Sequence, residues 1–424
     1  MKNKIVVVGL GYVGLPLALL IKKRGYQITG IVKNKEKADL INKGICPFKD
    51  KKNSQNLKKY PIQVTTDFEC VGKADIVIIC VPTPIDKKNF PDFEPIISSA
   101  KNIGKYLKKG SLVILESTVN PGATEKVLIP ILEKNSGLKV GVNFSVSHCP
   151  ERINPGDKNW NVENIPRIVG SFDKKGLKKS LKFYKSFLKG NIIPMNSLKE
   201  AEAVKIVENS FRDINIAFVN ELAMSFNKLG IDLLNVLKGA STKPYAFLSH
   251  YPGCGVGGHC IPVDPYYLID YAKKLGFDHK FLSLARKINN NMPDYTVNLL
   301  KEAAKKVKIN IKNINVAVLG LAYKNDIDDD RESPAYEIIK NLKKNKIKYS
   351  VFDPYLLKKS NALSLNDIIL NKNAIILATA HSEFKKLLPD QLKKNGIRIL
   401  IDGRNCLRKE LFSKKGIYYQ GIGY

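Results

Sequence analysis

A glycine triplet near the amino terminus constrains the fold more than any other feature of the chain. Residues 4–8 (Lys-Ile-Val-Val-Val) read as a buried strand, and Gly9-Leu-Gly11-Tyr-Val-Gly14 opens a helix that Gly25 stops just after Arg24. Residues 27–32 then read as a second strand. Strand, G-x-G-x-x-G, helix and strand form the unit of a parallel sheet that binds a dinucleotide. Gly9 makes the turn, Gly11 admits a pyrophosphate to the backbone amides, and Gly14 lets helix and strand pack closely, so Tyr12 and Val13 also become candidate cofactor contacts. The glycine pattern alone is weak, and the same fold can exist without a cofactor; its strand–turn–helix context is what gives it weight.

The chain has 424 residues, enough for two or three domains that each bury a core. Lys and Arg number 70 against 39 Asp and Glu, a net charge of +31 that raises the question of a nucleic-acid binder. Against that reading, the basic pairs Lys22-Lys23, Lys58-Lys59, Lys108-Lys109, Lys178-Lys179 and Lys343-Lys344 are dispersed, with no basic arm or aromatic-studded strand gathering them. Seven cysteines at irregular spacing suggest no disulfide framework. Met1-Lys-Asn-Lys4 followed by an apolar run to Ile21 superficially resembles a signal peptide, but the glycine motif lies inside it. No other stretch is apolar enough to span a membrane, so a cytoplasmic protein in a reducing compartment is expected.

Further buried strands are expected at 76–80, 112–115 and 142–146, each ending in residues suited to ligand contact at the carboxyl edge of a parallel sheet. The endings are Val81-Pro82-Thr83-Pro84, Glu116-Ser-Thr118-Val119 and Cys149-Pro-Glu151-Arg152-Ile-Asn-Pro-Gly156. Residues 197–229 form the best helical stretch, with Ser197 and Glu200 in a capping-box pattern and apolar positions at Val204, Val207, Phe211, Ile214, Phe218 and Leu222. Lys205 and Asn209 stand at i and i+4, on one helix face. Strand patterns return at 315–319, 348–352, 374–378 and 398–401, a second α/β half without the glycine triplet.

Between the halves lies Tyr251-Pro-Gly-Cys-Gly255-Val-Gly-Gly-His-Cys260-Ile-Pro-Val-Asp264-Pro-Tyr-Tyr267, with four glycines and three prolines in 17 residues. That content rules out a helix or strand interior and lets the backbone approach a ligand. Asp264 reads as the N-cap and Pro265 as the first residue of a helix that Gly276 closes. A thiol just ahead of a helix N-terminus has its thiolate favoured, so Cys260 is a candidate nucleophile. From these residues alone Cys260 could equally be a buried thiol and Asp264 a mere cap. His259, Cys254 and Cys260 match no zinc spacing, so no metal is expected.

The loop resembles the active-site loop of the UDP-glucose/GDP-mannose dehydrogenase family, whose pattern Gly-x-Gly-x-Gly-Gly-x-Cys-x-Pro-x-Asp is matched by Gly253, Gly255, Gly257, Gly258, Cys260, Pro262 and Asp264. The resemblance runs from Gly9 to Asn405. It implies two Rossmann-like doubly wound α/β domains joined by a central helical domain with a long helix, with boundaries at 1–196, 197–300 and 301–424. It implies four-electron oxidation of a primary alcohol to a carboxylate with NAD, the intermediate aldehyde being trapped on Cys260. Lys205 and Asn209 would then stabilise the C6 oxygen, Thr118 hold a water, Asp264 accept a proton, and Glu151 assist thioester hydrolysis. Tyr251, Gly255, Arg152, Tyr323, Lys324 and, in Asp402-Gly-Arg404-Asn405, Arg404 would contact the UDP-sugar; Arg331 would lie toward the cofactor phosphates with Val81, Pro82 and Thr83. A homodimer or higher oligomer contacting through the long helix, and a role in surface polysaccharide or glycan precursor synthesis, are further implications.

Within the family, Lys243-Pro-Tyr245, Tyr251-Pro-Gly and His259 most resemble the branch acting on UDP-N-acetylglucosamine. The UDP-N-acetylmannosamine branch shares Gly-Gly-His-Cys but usually has His-Pro-Arg at 243–245, and the UDP-glucose branch has lysine where Val263 stands. One departure is notable. Strand two ends Gly30-Ile-Val32-Lys33-Asn34, where the family usually has Gly-x-Asp, so the carboxylate that would bond the adenosine ribose is missing. Lys33, Lys35 or Lys37 could then attract a 2′-phosphate, leaving NADP possible beside NAD.

Overall fold

The computed structural model describes residues 3–48, 50–86, 90–153 and 159–424. The chain divides into two compact units, Met1–Glu208 with Tyr266–Gly276, and Asn209–Pro265 with Phe277–Tyr424.

The first unit is built on an eight-stranded sheet. Its strands are β1 (Lys4–Val8), β2 (Gln27–Ile31), β3 (Gln63–Thr65), β4 (Ile76–Ile79), β5 (Leu112–Leu115), β6 (Ser145–His148), β7 (Arg167–Ser171) and β8 (Ile192–Pro194). Their order is β3-β2-β1-β4-β5-β6-β7-β8, parallel throughout except the antiparallel β6/β7 pair. Strands covered on both faces need apolar residues on both, which is why 5–8 and 76–79 are unbroken Ile and Val runs. In β1, Ile5 and Val7 enter one apolar layer while Val6 and Val8 enter the other. Each such side chain contributes about 1.5–3 kcal/mol. Strand order reverses between β1 and β4, the switch point where open α/β sheets bind ligands.

The second unit carries a five-stranded parallel sheet of β9 (Asn315–Leu319), β10 (Lys348–Phe352), β11 (Ala374–Leu377), β12 (Ile399–Asp402) and β13 (Tyr418–Gly421), ordered β10-β9-β11-β12-β13. Val316 and Val318 face one layer, Ala317 and Leu319 the other. The helix Leu198–Leu229 has 32 residues, and Lys280–Lys306 has 27 with Pro293 inside. Two doubly wound α/β regions with long central helices are therefore the architecture. Among the described residues no helix is long and apolar enough to cross a membrane.

Several sequence expectations shift locally. The strand expected at 142–146 is instead Ser145–His148, because Gly141 at φ +77° donates its N–H to the Phe144 carbonyl and turns the chain before it pairs. Ser197 Oγ accepts the Glu200 N–H at 3.1 Å, but Glu200 Oε2 returns to the Asn196 N–H rather than to Ser197, so the box closes one residue early. The apolar stripe of the long helix is not its buried face: Val207, Phe211 and Phe218 are 58, 47 and 53% exposed, whereas Ala201, Ile206, Asp213, Ala217 and Asn220 are buried. The sequence patterns do not single out strands β3, β7, β8 and β13. Asn154, Pro155 and Gly156 of the expected 149–156 motif lie outside the described residues.

Candidate active site

The three glycines after β1 do different work. Gly9 has φ +93°, donates its N–H to the Ile31 carbonyl at 2.8 Å, and sits so tightly that a Cβ would come within 2.6 Å of the Cys80 carbonyl oxygen. A Cβ on Gly14 would lie 1.9 Å from the Gly9 carbonyl oxygen. At Gly11 a Cβ would meet no protein atom within 4 Å, so protein packing does not explain that glycine, whereas close approach of a pyrophosphate does. The turn thus fits a dinucleotide on its own geometry. Tyr12 packs on Phe48 with ring centroids 4.4 Å apart and planes tilted by 33°.

The second wall after β4 is pinned by groups that sequence reading missed. Ser117 Oγ donates to the Val81 carbonyl at 2.7 Å, and the fully buried Tyr267 donates its hydroxyl to the Thr83 carbonyl at 2.8 Å. Pro82 is exposed between them. Val32 is 5% exposed and packs in the core, while Asn34 is used as a cap accepting the Lys37 N–H at 3.0 Å. Burial holds the Lys37 ammonium below the usual lysine range.

Thr118 begins the loop after β5, and this loop is moored to the long helix by Glu202. Fully buried, Glu202 accepts the Gly122 N–H at 2.5 Å and the Thr124 N–H at 2.8 Å. Burial, partly offset by those donors, pushes its carboxyl up to about 7. Lys205 follows three residues later. Glu151, past β6, folds its own segment: Oε1 accepts the Arg152 N–H at 2.7 Å and the Ile153 N–H at 2.8 Å. Arg152 donates to the Pro166 carbonyl at 2.9 Å and pairs with Glu208 at 2.5 Å.

In the second unit, the glycine-rich loop is an organised turn. The Cys260 carbonyl accepts the Val263 and Asp264 N–H groups at 3.1 and 2.8 Å, which starts the helix Asp264–Lys274. Asp264 is 3% exposed, and its Oδ2 accepts Asn209 Nδ2 at 2.5 Å. Two candidates separated by 55 residues are therefore in direct contact, and Asp264, expected as the N-cap, is instead the first residue of the helix. The glycines of the loop have steric reasons: a Cβ on Gly255 (φ +134°) would lie 2.7 Å from Pro334, and on Gly257 or Gly258 2.7 or 2.8 Å from the Tyr323 side chain. Gly258 N–H donates to the Arg331 carbonyl at 3.0 Å and Cys254 N–H to the Gly403 carbonyl at 2.9 Å. Behind the loop runs a buried polar chain. Gly253 N–H donates to Asn220 Oδ1, Asn220 Nδ2 to Asn289 Oδ1, Asn289 Nδ2 to Asp213 Oδ1, and Arg286 Nη1 to Asp213 Oδ1, at 3.0, 2.9, 2.8 and 2.6 Å. Asn220, Asp213 and Arg286 carry no motif of their own. Tyr251, at the start of the loop, is 62% exposed.

Beyond β9, Gly320 turns at φ +97° and the next two amides, Leu321 and Ala322, donate to Asp353 Oδ2 at 2.7 and 2.9 Å. His381 Nδ1 accepts the Asp326 N–H, so its Nε2 donates to Asp353 at 3.0 Å. These contacts set the segment bearing Tyr323 and Lys324. Arg331 forks onto Asp329 at 2.9 and 2.5 Å. Arg404 Nε donates to the Ala378 carbonyl at 2.7 Å and Nη1 to the Gly255 carbonyl at 3.4 Å, while buried Asp402 accepts the N–H groups of Arg404, Cys406 and Leu407.

Comparison with known proteins agrees with this geometry. Residues 3–188 match the NAD binding domain of the UDP-glucose/GDP-mannose dehydrogenase family, 199–291 its central domain and 317–409 its UDP binding domain. UDP-N-acetyl-D-mannosamine dehydrogenase of Pyrococcus horikoshii is 36% identical over 99% of both chains, and UDP-N-acetyl-D-glucosamine 6-dehydrogenase of Pseudomonas aeruginosa is 37% identical over 93% of this chain and 94% of that one. The solved structure of the UDP-N-acetylmannosamine dehydrogenase from Pyrococcus horikoshii superposes with a TM-score of 0.93, covering 99% of each chain. The chain belongs to the UDP-glucose/GDP-mannose dehydrogenase family and is an NAD-dependent UDP-sugar 6-dehydrogenase.

Proposed function

We propose that the chain oxidises C6 of a UDP-N-acetylhexosamine to the uronic acid, with Cys260 holding the carbon between the two hydride losses. The observation that carries this is the Asn209–Asp264 contact at 2.5 Å together with the turn from Cys260 into Asp264, which brings Asn209 against the segment that carries the other two groups. The turn after β1 would hold two molecules of NAD one after the other, each supplying the acceptor for one hydride, the first from the alcohol and the second from the sulfur adduct. Lys205 and Asn209 offer N–H donors to the negative charge that develops on the C6 oxygen. A water held by Thr118 passes the alcohol proton to Asp264. The Cys260 thiolate then adds to the aldehyde carbon, and after the second hydride has left, the product is a thioester. Water attacks its acyl carbon while Glu151 accepts the water proton; the C–S bond breaks and the thiolate leaves. Tyr251, Gly255, Arg152, Tyr323, Lys324 and Arg404 orient the UDP-sugar, and Gly9, Gly11, Gly14, Tyr12, Val13, Val81, Pro82, Thr83, Lys37 and Arg331 serve the cofactor. The domains under this reading are 1–196, 197–300 and 301–424, and the seven free thiols suit a reducing cytoplasm.

UDP-N-acetylglucosamine is the favoured substrate, on Lys243-Pro-Tyr245 and His259. UDP-N-acetylmannosamine is the second reading, favoured by full-length similarity to the Pyrococcus horikoshii enzyme. A panel of UDP-sugars, read by absorbance of reduced nicotinamide, separates them, and activity on UDP-glucose alone would refute both. Asn209→Ala should lower kcat about 100-fold, the scale of a lost oxyanion donor; a change in KM alone would move Asn209 to ground-state binding. The exposed stripe Val207, Phe211 and Phe218 is the face we assign to a homodimer. Phe211→Glu should yield monomers in sedimentation, and an unchanged assembly would exclude this face.

A further inference from the structure

Glu151 is held by more than its own segment. Arg167, the first residue of β7, donates Nη2 to Glu151 Oε2 at 2.6 Å and Nη1 to Glu116 Oε2 at 3.1 Å. Glu116 follows β5, and its other oxygen accepts the hydroxyl of Tyr184, on the helix Lys174–Lys185, at 2.5 Å. Arg167 and Tyr184 are fully buried, Glu116 is 1% exposed and Glu151 6%. Two carboxylates thus share one guanidinium in the interior, with Glu151 at its margin, which leaves an excess negative charge in low dielectric unless one of them holds a proton.

The neighbours do not supply the missing charge. Cys80 and Cys149 approach the cluster from β4 and β6, and burial pushes both thiols up, Cys149 to about 12. Tyr184 is pushed up by burial and by the charges beside it. All three stay neutral in the range where an enzyme works. Burial, offset by Arg167 and reinforced by the Glu151 charge, raises the Glu116 carboxyl above the usual range. The charges facing Glu151 are therefore those of Arg167 and Glu116. Arg152 turns its guanidinium to Pro166 and Glu208 instead.

We propose that Arg167, braced by Glu116 and Tyr184, is a positioning residue that fixes the orientation of Glu151 and sets the pH range in which Glu151 accepts a proton from the attacking water. The proposal rests on the reading of Glu151 as the base of thioester hydrolysis. Glu116 acts at one remove: its ionisation adds a second negative charge to the same arginine, and its neutral form leaves Arg167 to Glu151 alone.

The test is a rapid-quench and pH study of Glu151→Gln, Arg167→Met, Arg167→Lys and Glu116→Gln, with intact mass of the enzyme reporting the uronyl adduct on Cys260. Glu151→Gln and Arg167→Met should show a burst of reduced cofactor, then turnover slowed about 10-fold or more, with the adduct accumulating. The acid limb of turnover should move up by about one pH unit in Arg167→Met and down by about half a unit in Glu116→Gln, while Arg167→Lys, which keeps the charge, stays near wild type. If Arg167→Met does not fold, the Glu116→Gln shift alone decides. Equal loss of burst and turnover without adduct, or an acid limb unmoved in Glu116→Gln, overturns the proposal. If Glu151→Gln itself turns over without accumulating adduct, the base assignment fails instead, and the two failures are distinguishable.

Discussion

The two sheets begin with the same turn and use it differently. After β1, Gly9 (φ +93°) donates to the Ile31 carbonyl at the end of β2; after β9, Gly320 (φ +97°) donates to the Phe352 carbonyl at the end of β10, both at 2.8 Å. Register aligns Val8 with Ile31 and Leu319 with Phe352, so Val32 and Asp353 hold equivalent places. In the second sheet the Asp353 carboxylate takes the Leu321 and Ala322 amides, the very donors that a phosphate would use. In the first sheet a buried valine stands there, and the turn continues into Gly11 and Gly14. The same backbone turn is therefore clamped from within by Asp353 in the second sheet, whereas in the first it leads into Gly11 and Gly14, which suit a dinucleotide.

Glycine replacements break this comparison most strongly. Gly14→Ala and Gly320→Ala place a Cβ 1.9 Å from the Gly9 carbonyl oxygen and 2.3 Å from the Thr379 Cβ, and each should cost about 3–5 kcal/mol in denaturant unfolding. Gly11→Ala should stay within about 0.5 kcal/mol of wild type yet raise the KM for NAD by about 10-fold or more, because its Cβ meets only the ligand's space. A large stability loss at Gly11 would mean that packing, not cofactor approach, selects that glycine.

The units should also differ in pH dependence. Glu202 in the first unit has its carboxyl raised from 4.5 to about 7, so the folded form keeps a proton that the unfolded chain releases. Its contribution to stability therefore declines as pH rises from 4.5 through 7, by an amount on the order of 3 kcal/mol at most. Asp353 in the second unit goes the other way: burial opposes its charge, but His381 and the two amides outweigh burial and hold it below 3.8. Its contribution is present above 3.8 and is lost as pH falls through the lower folded value. Glu202→Gln should flatten the near-neutral slope and Asp353→Asn the acid one, in thermal unfolding across pH. The same slope in wild type and Glu202→Gln would contradict the first assignment.

The smallest effect concerns cofactor choice. With Val32 in place of a carboxylate we expect NAD to be preferred and NADP only weakly excluded. Restoring the acid by Val32→Asp should favour NAD over NADP by roughly 5- to 150-fold, an interaction of about 1–3 kcal/mol, with some stability lost because Val32 is 5% exposed. Strong rejection of NADP by wild type, unchanged in the variant, would refute the role given to this position.

What could be read beforehand follows from how local each constraint is. The β1 turn, the long helix and the loop 251–267 were legible because glycine spacing, helical period and proline content act within one segment. The reasons for Gly255, Gly257 and Gly258 were not, since Pro334 and Tyr323 arrive from 65 or more residues away. The chain from Gly253 through Asn220 and Asn289 to Asp213 was hidden for the same reason: a buried asparagine on a helix looks like an exposed one until its partner is known. The apolar stripe at Val207, Phe211 and Phe218 had the right period for a helix, but period alone does not say whether the chain's own core covers that face.

The central claim is that Cys260 carries the carbon between two oxidations, and counting reduced cofactor per UDP-N-acetylhexosamine consumed tests it most directly. Wild type should produce two reduced nicotinamides per sugar and the uronic acid. Cys260→Ser should stall after the first oxidation or as an ester, and Cys260→Ala should fail to complete the second. Sustained turnover by Cys260→Ala with two reduced cofactors per sugar would contradict the covalent account.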